Sequence, residues 1–286
     1  MLLIGTLAIS FAPIFVRLSE VGPSATAFWR VCLALPIFWS WSRWETRSVH
    51  VGKSVRAEWL ALLVAGAAFG GDLAFWHWSI RLTSVANATL LANLAAIFVV
   101  LFGWLFFGQR VSRNFLFAMV IALGGMVLLV QGKPHLGRGS GPASARLLGD
   151  VLGITTATFY AAYLLAVKRL RACLPVGTMM AWSGVVTALL LLPIAALLGE
   201  RLLPVTAHGW LILGALALIS HVLGQCSIAY AMAGLPAAFV SVALLLQTVA
   251  AAAAAWLLLN EPVGPWQFLG GALVLSGIVL SRRETR

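Results

Sequence analysis

The stretch QGKPHLGRGSGPASARL, Gln131–Leu147, is rich in Gly, Pro and Ser and interrupts an otherwise apolar chain. Such punctuation marks a linker rather than a packed element. It divides the sequence into residues 1–131 and 148–286, with 132–147 between them. On each side apolar segments recur at short intervals, and the composition explains what they are. Of 286 residues, 62% are hydrophobic and only 9% are charged. A soluble domain carries about 25% charged residues, so a chain this poor in charge lacks the means to dress a water-facing surface. Its solvent is the lipid bilayer.

A membrane-crossing helix needs roughly 20 mainly apolar residues. Five segments of that kind precede the linker, at about 1–16, 24–42, 59–80, 83–106 and 114–131, and five follow it, at about 148–167, 175–198, 208–229, 236–258 and 266–281. The segments are continuously apolar rather than alternating, which excludes the strands of a membrane barrel. The reading is an all-α polytopic membrane protein of ten transmembrane helices.

The halves resemble each other. FGQRVS (Phe107–Ser112) aligns with LNEPVG (Leu259–Gly264) at an offset of 152, and the same offset joins Gly125 to Gly277 and Trp78 to Tyr230. At an offset of 153, Trp29 meets Trp182. Five is odd, so the second copy enters the bilayer with the opposite polarity. The expectation is therefore two inverted five-helix repeats, an arrangement that sets a substrate site near the midplane between the halves.

The net charge is +11. Its distribution is topogenic. With the N-terminus in the cytoplasm, twelve of the nineteen Lys and Arg fall in inside loops and six in outside loops. That bias predicts both termini inside. Nucleic-acid binding needs a basic patch on a soluble face, and no soluble face is evident. Cys32, Cys173 and Cys226 lack redox or metal spacing. Met1 opens directly into an apolar run, so no cleaved signal peptide is read. No phosphate-cradling loop, HExxH pair or other metal set occurs, and neither a cofactor nor a metal is expected.

Ten spans in two halves, each closing on an acidic or amide loop and a Gly-rich last helix, resemble the EamA-type drug/metabolite transporter superfamily. The motifs are Leu259–Gly264 with WQFLGGALVLSG, Trp266–Gly277, and FWRVCLALP, Phe28–Pro36. FGQRVS is a weaker copy, with Gln109 where the family commonly has Glu. The family often has a Pro some fourteen positions before that Glu, and here Ala95 and Gln247 stand there. The aromatic third span, GDLAFWHWSI (Gly71–Ile80), is similar to that of aromatic amino acid exporters of the YddG type. The resemblance implies a bacterial inner-membrane carrier that exports small metabolites by alternating access.

Polar side chains inside spans tend to face the bundle interior or a wet cavity. Arg30 and Asp72 lie, at about 1.5 Å per residue, roughly 10 Å below the same membrane face. They are candidates either for a structural salt bridge or for a proton- or substrate-charge site. Asn93, Tyr160, His221 and Gln247 fall near the midplane on four different spans. With His77, Trp78 and Tyr163 they are the candidate substrate-binding residues, offering hydrogen bonds and π faces to an aromatic or other neutral amino acid. Pro13, Pro36 and Pro193 are expected to kink their helices. Glu261 is expected to cap the last helix. Other readings are a multidrug exporter of cations in the same superfamily, an intramembrane enzyme and a scaffold. The small-multidrug type places an acid in its first helix, and span 1 has none. Catalysis would need a nucleophile with its base, and His77 and His221 stand alone. Partners are a small-molecule substrate, the lipid bilayer and, if transport is coupled, protons. The sequence leaves the oligomeric state open.

Overall fold

The structure is a computed structural model that describes residues 1–46, 55–131, 142–259 and 264–284. The expected roles of the linker centre and of Glu261 lie outside the described residues. Among the described residues the secondary structure is helical throughout, without strands. The helices are α1 (Leu2–Ile9), α2 (Ala12–Leu18), α3 (Pro23–Cys32), α4 (Leu35–Thr46), α5 (Trp59–Leu82), α6 (Val85–Ala92), α7 (Ala95–Phe107) and α8 (Arg113–Gln131). Beyond the linker follow α9 (Ala143–Leu170), α10 (Val176–Leu197) and α11 (Ala207–Ala215), then a π-helical segment (Leu216–Gln225). The chain ends with α12 (Cys226–Ala231), α13 (Ala237–Ala243), α14 (Leu246–Leu259) and α15 (Pro265–Arg283).

Among the described residues, six helical runs have the length and composition to cross a membrane: Trp59–Leu82, Val85–Phe107, Arg113–Val130, Ala143–Leu170, Val176–Leu197 and Ala207–Ala231. Leu2–Leu18 and Ala237–Ala253 are shorter apolar runs. Several runs are interrupted near mid-length by one tightened turn. α1 passes into α2 at Ser10–Phe11, α3 into α4 at Leu33–Ala34, α6 into α7 at Asn93–Leu94, and α13 into α14 at Leu244–Leu245. Backbone bonds there skip to the third residue back, as in Ala34 N to Val31 O and Leu245 N to Val242 O. Pro13 and Pro36 stand at the first two interruptions, as the missing N–H requires. Pro193, the third proline expected to kink its helix, lies inside α10, which continues through it.

Small residues set the tightest seams. α8 and α15 run antiparallel in close contact. A Cβ on Gly270 would lie 2.6 Å from the Gly125 carbonyl oxygen, and one on Gly277 would lie 2.6 Å from that of Ala118. Only glycine permits this approach. α5 packs along α9 with Gly71 against the Phe159 ring, and α10 packs on α3, α4 and α5. The largest apolar core lies between these helices, around Phe38, Phe69, Tyr163, Leu164 and Met179.

Candidate functional site

Carboxylates of one half cap helices of the other. α3 begins Gly22–Pro23 and α10 begins Pro175–Val176, so neither has a local capping side chain. Glu200 accepts from Ser24 N (3.2 Å) and Ala25 N (2.8 Å). Glu45 accepts from Gly177 N (3.2 Å) and Thr178 N (3.1 Å). Both satisfy first-turn amides that would otherwise lack acceptors. These clasps hold α3 and α4 along α10, and fix the depth of Arg30 on α3.

Arg30 enters a cavity of about 60 Å³, room for roughly four to six waters at 10–15 Å³ each. Its walls follow helical periodicity. α5 contributes Phe69, Asp72, Leu73 and Trp76, α6 with the following turn contributes Thr89, Ala92 and Asn93, and α9 contributes Thr156 and Tyr160. Ile9, Gln225 and Gln247 complete the lining. Residues spaced by three or four share a helix face, which is why one stripe from each helix reaches the same space.

Three hydrogen-bonded groups cross this space. Gln247 Nε2 donates to Asn93 Oδ1 at 2.6 Å, and Asn93 Nδ2 donates to Thr248 Oγ1 at 3.1 Å. This pairs the interrupted turn between α6 and α7 with the one between α13 and α14. The Arg30 guanidinium lies 6.0 Å from the centroid of the Phe69 ring. Phe69 is itself stacked on Tyr163 (4.6 Å) and on His221 (5.3 Å).

Other polar atoms of the wall have no protein partner. Arg30 Nε, Thr89 Oγ1, Thr156 Oγ1 and both amide atoms of Gln225 are buried without a hydrogen bond. Gln225 lies beside the hydroxyls of Tyr160 and Tyr163, but the geometry falls short of a hydrogen bond. Arg30 and Asp72 are 2% and 8% exposed and interact electrostatically. Among the described residues, no contact within 4.0 Å joins them as an ion pair.

The structure thus brings together five of the nine residues singled out in the sequence: Arg30, Asp72, Asn93, Tyr160 and Gln247. The other four lie away from the lining. His77 Nδ1 faces the Pro23 carbonyl oxygen at 3.0 Å, and Trp78 Nε1 donates to Ser24 Oγ at 3.1 Å. Both fasten α5 to the first turn of α3. Tyr163 is buried, its hydroxyl directed at Met180 Sδ. His221 is buried between Phe38 and Phe69, with neither ring nitrogen partnered. Sequence reasoning did not single out Phe69, Thr89 or Gln225, and it left Trp76 open between membrane belt and cavity wall and Thr156 open between cavity wall and a bond to its own backbone; all five line the cavity. Helical spacing from Asp72 carried the signal for Phe69 and Trp76, at three positions before it and four after. Among the described residues no cluster of three or more His, Cys, Asp or Glu forms a metal site.

Comparison with known proteins follows the same division of the chain. The model of the EamA-like transporter family matches residues 1–131 and again 147–283. An uncharacterized transporter of Archaeoglobus fulgidus is 28% identical over 95% of this chain and 92% of its own length. A pseudopaline exporter of Pseudomonas aeruginosa is 27% identical over 78% of this chain and 75% of its own. A Streptantibioticus cattleyicolor protein named "probable terminal-alkyne amino-acid exporter" is 30% identical over 73% of this chain and 68% of its own. A crystal structure of a protein superposes with a TM-score of 0.80, covering 99% of this chain and 96% of its own at 19% identity. At that identity the likeness concerns the fold alone.

Proposed function

Since the chain belongs to the EamA-like transporter family, a membrane transporter rather than an enzyme, we propose that it is a secondary exporter of small amphipathic metabolites, neutral amino acids foremost. It works by alternating access between two inverted five-helix halves, residues 1–131 and 148–286, joined by 132–147. Both termini lie on the cytoplasmic side of a bacterial inner membrane. Of the residues marked out in the sequence, Arg30, Asp72, Asn93, Tyr160 and Gln247 meet the substrate. His77, Trp78, Tyr163 and His221 hold the helices that carry them.

The observation that carries this reading is the set of buried polar atoms without protein partners on the wall of one cavity. An unpaired buried polar group costs about 1–3 kcal/mol. Several on one wall are retained because a polar ligand or water completes them. Two relatives named as exporters of pseudopaline and of an amino acid support the substrate class.

The inverted-repeat part has its own support. Gly277 follows Gly125 by 152 positions, and Gly270 follows Ala118 by 152. The contacts Gly125–Gly270 and Ala118–Gly277 therefore exchange when each residue is replaced by its repeat partner, the signature of a two-fold axis. The two clasps obey the same exchange. Gly177 and Thr178 follow Ser24 and Ala25 by 153, and carboxylates reach both pairs from the opposite half.

The test is efflux of labelled amino acids from proteoliposomes, with and without a pH gradient. Flux of intact substrate above protein-free vesicles is expected. No flux for any neutral amino acid, alongside flux of cationic dyes, would replace this reading with that of a multidrug exporter. Arg30 on the cavity wall speaks against a purely cationic cargo.

A further inference from the structure

We infer that Arg30 and Asp72 read the two charges of a zwitterionic head group, Arg30 the carboxylate and Asp72 the ammonium, so that the substrate class is the free α-amino acid. This rests on the export reading above and narrows it.

The two side chains are the charged members of the cavity wall. Each is more than nine-tenths buried. Taking opposite charges out of water is costly unless each is paired and hydrogen-bonded. A structural ion pair offsets that cost through direct contact and hydrogen bonds. Here they share a cavity but stop short of an ion pair. Arg30 keeps its Nε without an acceptor. The Asp72 carboxylate, among the described residues, accepts no hydrogen bond, and Arg30 is the one charge that shares the cavity wall with it.

A ligand carrying one negative and one positive group a few ångströms apart completes both. A monoanion would satisfy Arg30 and face Asp72, and a monocation the reverse. Each would be repelled by the charge it left unpaired. Arg suits a carboxylate through its planar fork of donors, and Asp is an acceptor-only partner for an ammonium. The cavity of about 60 Å³ has room for a small polar head group, the space of roughly four to six waters. The amides of Gln225 and Gln247 and the hydroxyls of Thr89 and Thr156 then supply neutral contacts around it, and Trp76 an apolar edge.

The experiment uses the full-length protein in proteoliposomes, with counterflow of labelled L-phenylalanine. Four unlabelled competitors are compared: L-phenylalanine, its amide, phenethylamine, which lacks the carboxylate, and 3-phenylpropionate, which lacks the amine. In the wild type each of the last three is expected to compete at least tenfold more weakly than the amino acid. In Arg30→Gln the gap between acid and amide closes to within about threefold. In Asp72→Asn the gap between phenylalanine and 3-phenylpropionate closes likewise. Equal competition by acid and amide in the wild type overturns the assignment while leaving export intact, and so does an unchanged ratio in a variant that still transports. If a variant does not fold, the wild-type competitor series decides alone. Absence of counterflow with phenylalanine, leucine and alanine in turn overturns the export reading and this inference together.

Discussion

Removing one of the two carboxylate clasps tests the cross-half architecture without reference to any substrate. In Glu200→Ala the amides of Ser24 and Ala25 lose their acceptors at 3.2 and 2.8 Å. Losing a capping side chain costs about 0.5–2 kcal/mol. A negative charge at a helix N-terminus contributes about 0.3–1 kcal/mol, partly the same energy counted differently. The expected loss is therefore about 1–2 kcal/mol. Glu45→Ala removes bonds of 3.2 and 3.1 Å to Gly177 and Thr178 and should cost the same within error. Glu200→Gln keeps an acceptor oxygen and should cost about half. The clasps sit at opposite ends of α10, which has 22 residues and so spans about 33 Å. Sites that far apart add to within about 0.5 kcal/mol. The double variant should lose the sum, about 2–4 kcal/mol. The assay is denaturant-induced unfolding of the purified protein in one detergent. If Glu200→Ala lies within about 0.3 kcal/mol of the wild type, the bonds do not hold the halves. If the double variant departs from additivity by more than about 1 kcal/mol, the clasps are not independent ends of one helix pair.

Three further outcomes follow from other parts of the structure. Gly270→Leu puts a Cβ 2.6 Å from the Gly125 carbonyl oxygen and from Leu129 N; overpacking of this kind costs about 1–3 kcal/mol, read as a lower melting temperature, and a variant as stable as the wild type would mean that α8 and α15 are not in contact there. His77→Leu removes the partner of the Pro23 carbonyl oxygen and should lower stability by about 1–3 kcal/mol while leaving the acid-to-amide preference unchanged, whereas an altered preference would return His77 to the binding site. Glu20 accepts from the Thr206 hydroxyl and from the Val205 and Thr206 amides, and these bonds, the Thr206 side chain first, hold its pKa below the ordinary value of 4.5. Its contribution is thus complete above that value and is lost as pH falls through the lowered pKa, so hydrogen-exchange protection at Thr206–Trp210, taken relative to the intrinsic rate at each pH, should fall in acid, and in Glu20→Gln it should already be low at neutral pH.

The helices were legible because apolar length and punctuation are one-dimensional signals. Two glycines of the α8–α15 seam were visible by spacing, since the same offset that aligns FGQRVS with LNEPVG aligns Gly125 with Gly277. The site was legible by depth and less so by direction. A polar residue inside a span announces that it avoids lipid, which selected Arg30, Asp72, Asn93, Tyr160 and Gln247, but it does not say which interior surface it meets. On α5, Trp76 stands four positions from Asp72 and lines the cavity with it, while Trp78, half a helical turn on from Trp76, turns to Ser24. Residue type favoured Trp78 and His77, but helical phase favoured Phe69 and Trp76. On the eighth apolar segment the phase itself changes. His221 and Gln225 are four apart and would share one face of an α-helix. They lie in the π-helical stretch Leu216–Gln225, yet His221 packs on Phe38 and Phe69 while Gln225 reaches the cavity. No composition rule foretells a π-helical turn.

The interrupted helices tie backbone to chemistry. Where a helix breaks within the hydrocarbon region, freed backbone groups survive only against protein or a wet cavity. Two interruptions, at Ser10–Phe11 and Leu33–Ala34, come three residues before Pro13 and Pro36. The other two, at Asn93–Leu94 and Leu244–Leu245, occur without proline, since Ala95 and Gln247 occupy the places where family resemblance implies it. The tightened turn therefore does not depend on that ring. Gln247 N still bonds Leu244 O at 3.0 Å, and its side chain gains an amide that a proline would lack. That amide donates to Asn93 across the cavity, so the two proline-free turns, one from each side of the linker, are joined by their own side chains at the level where Arg30 and Asp72 face the same space. Chemistry and kink coincide because a turn that exposes backbone needs polar company, and the polar wall of this cavity supplies it.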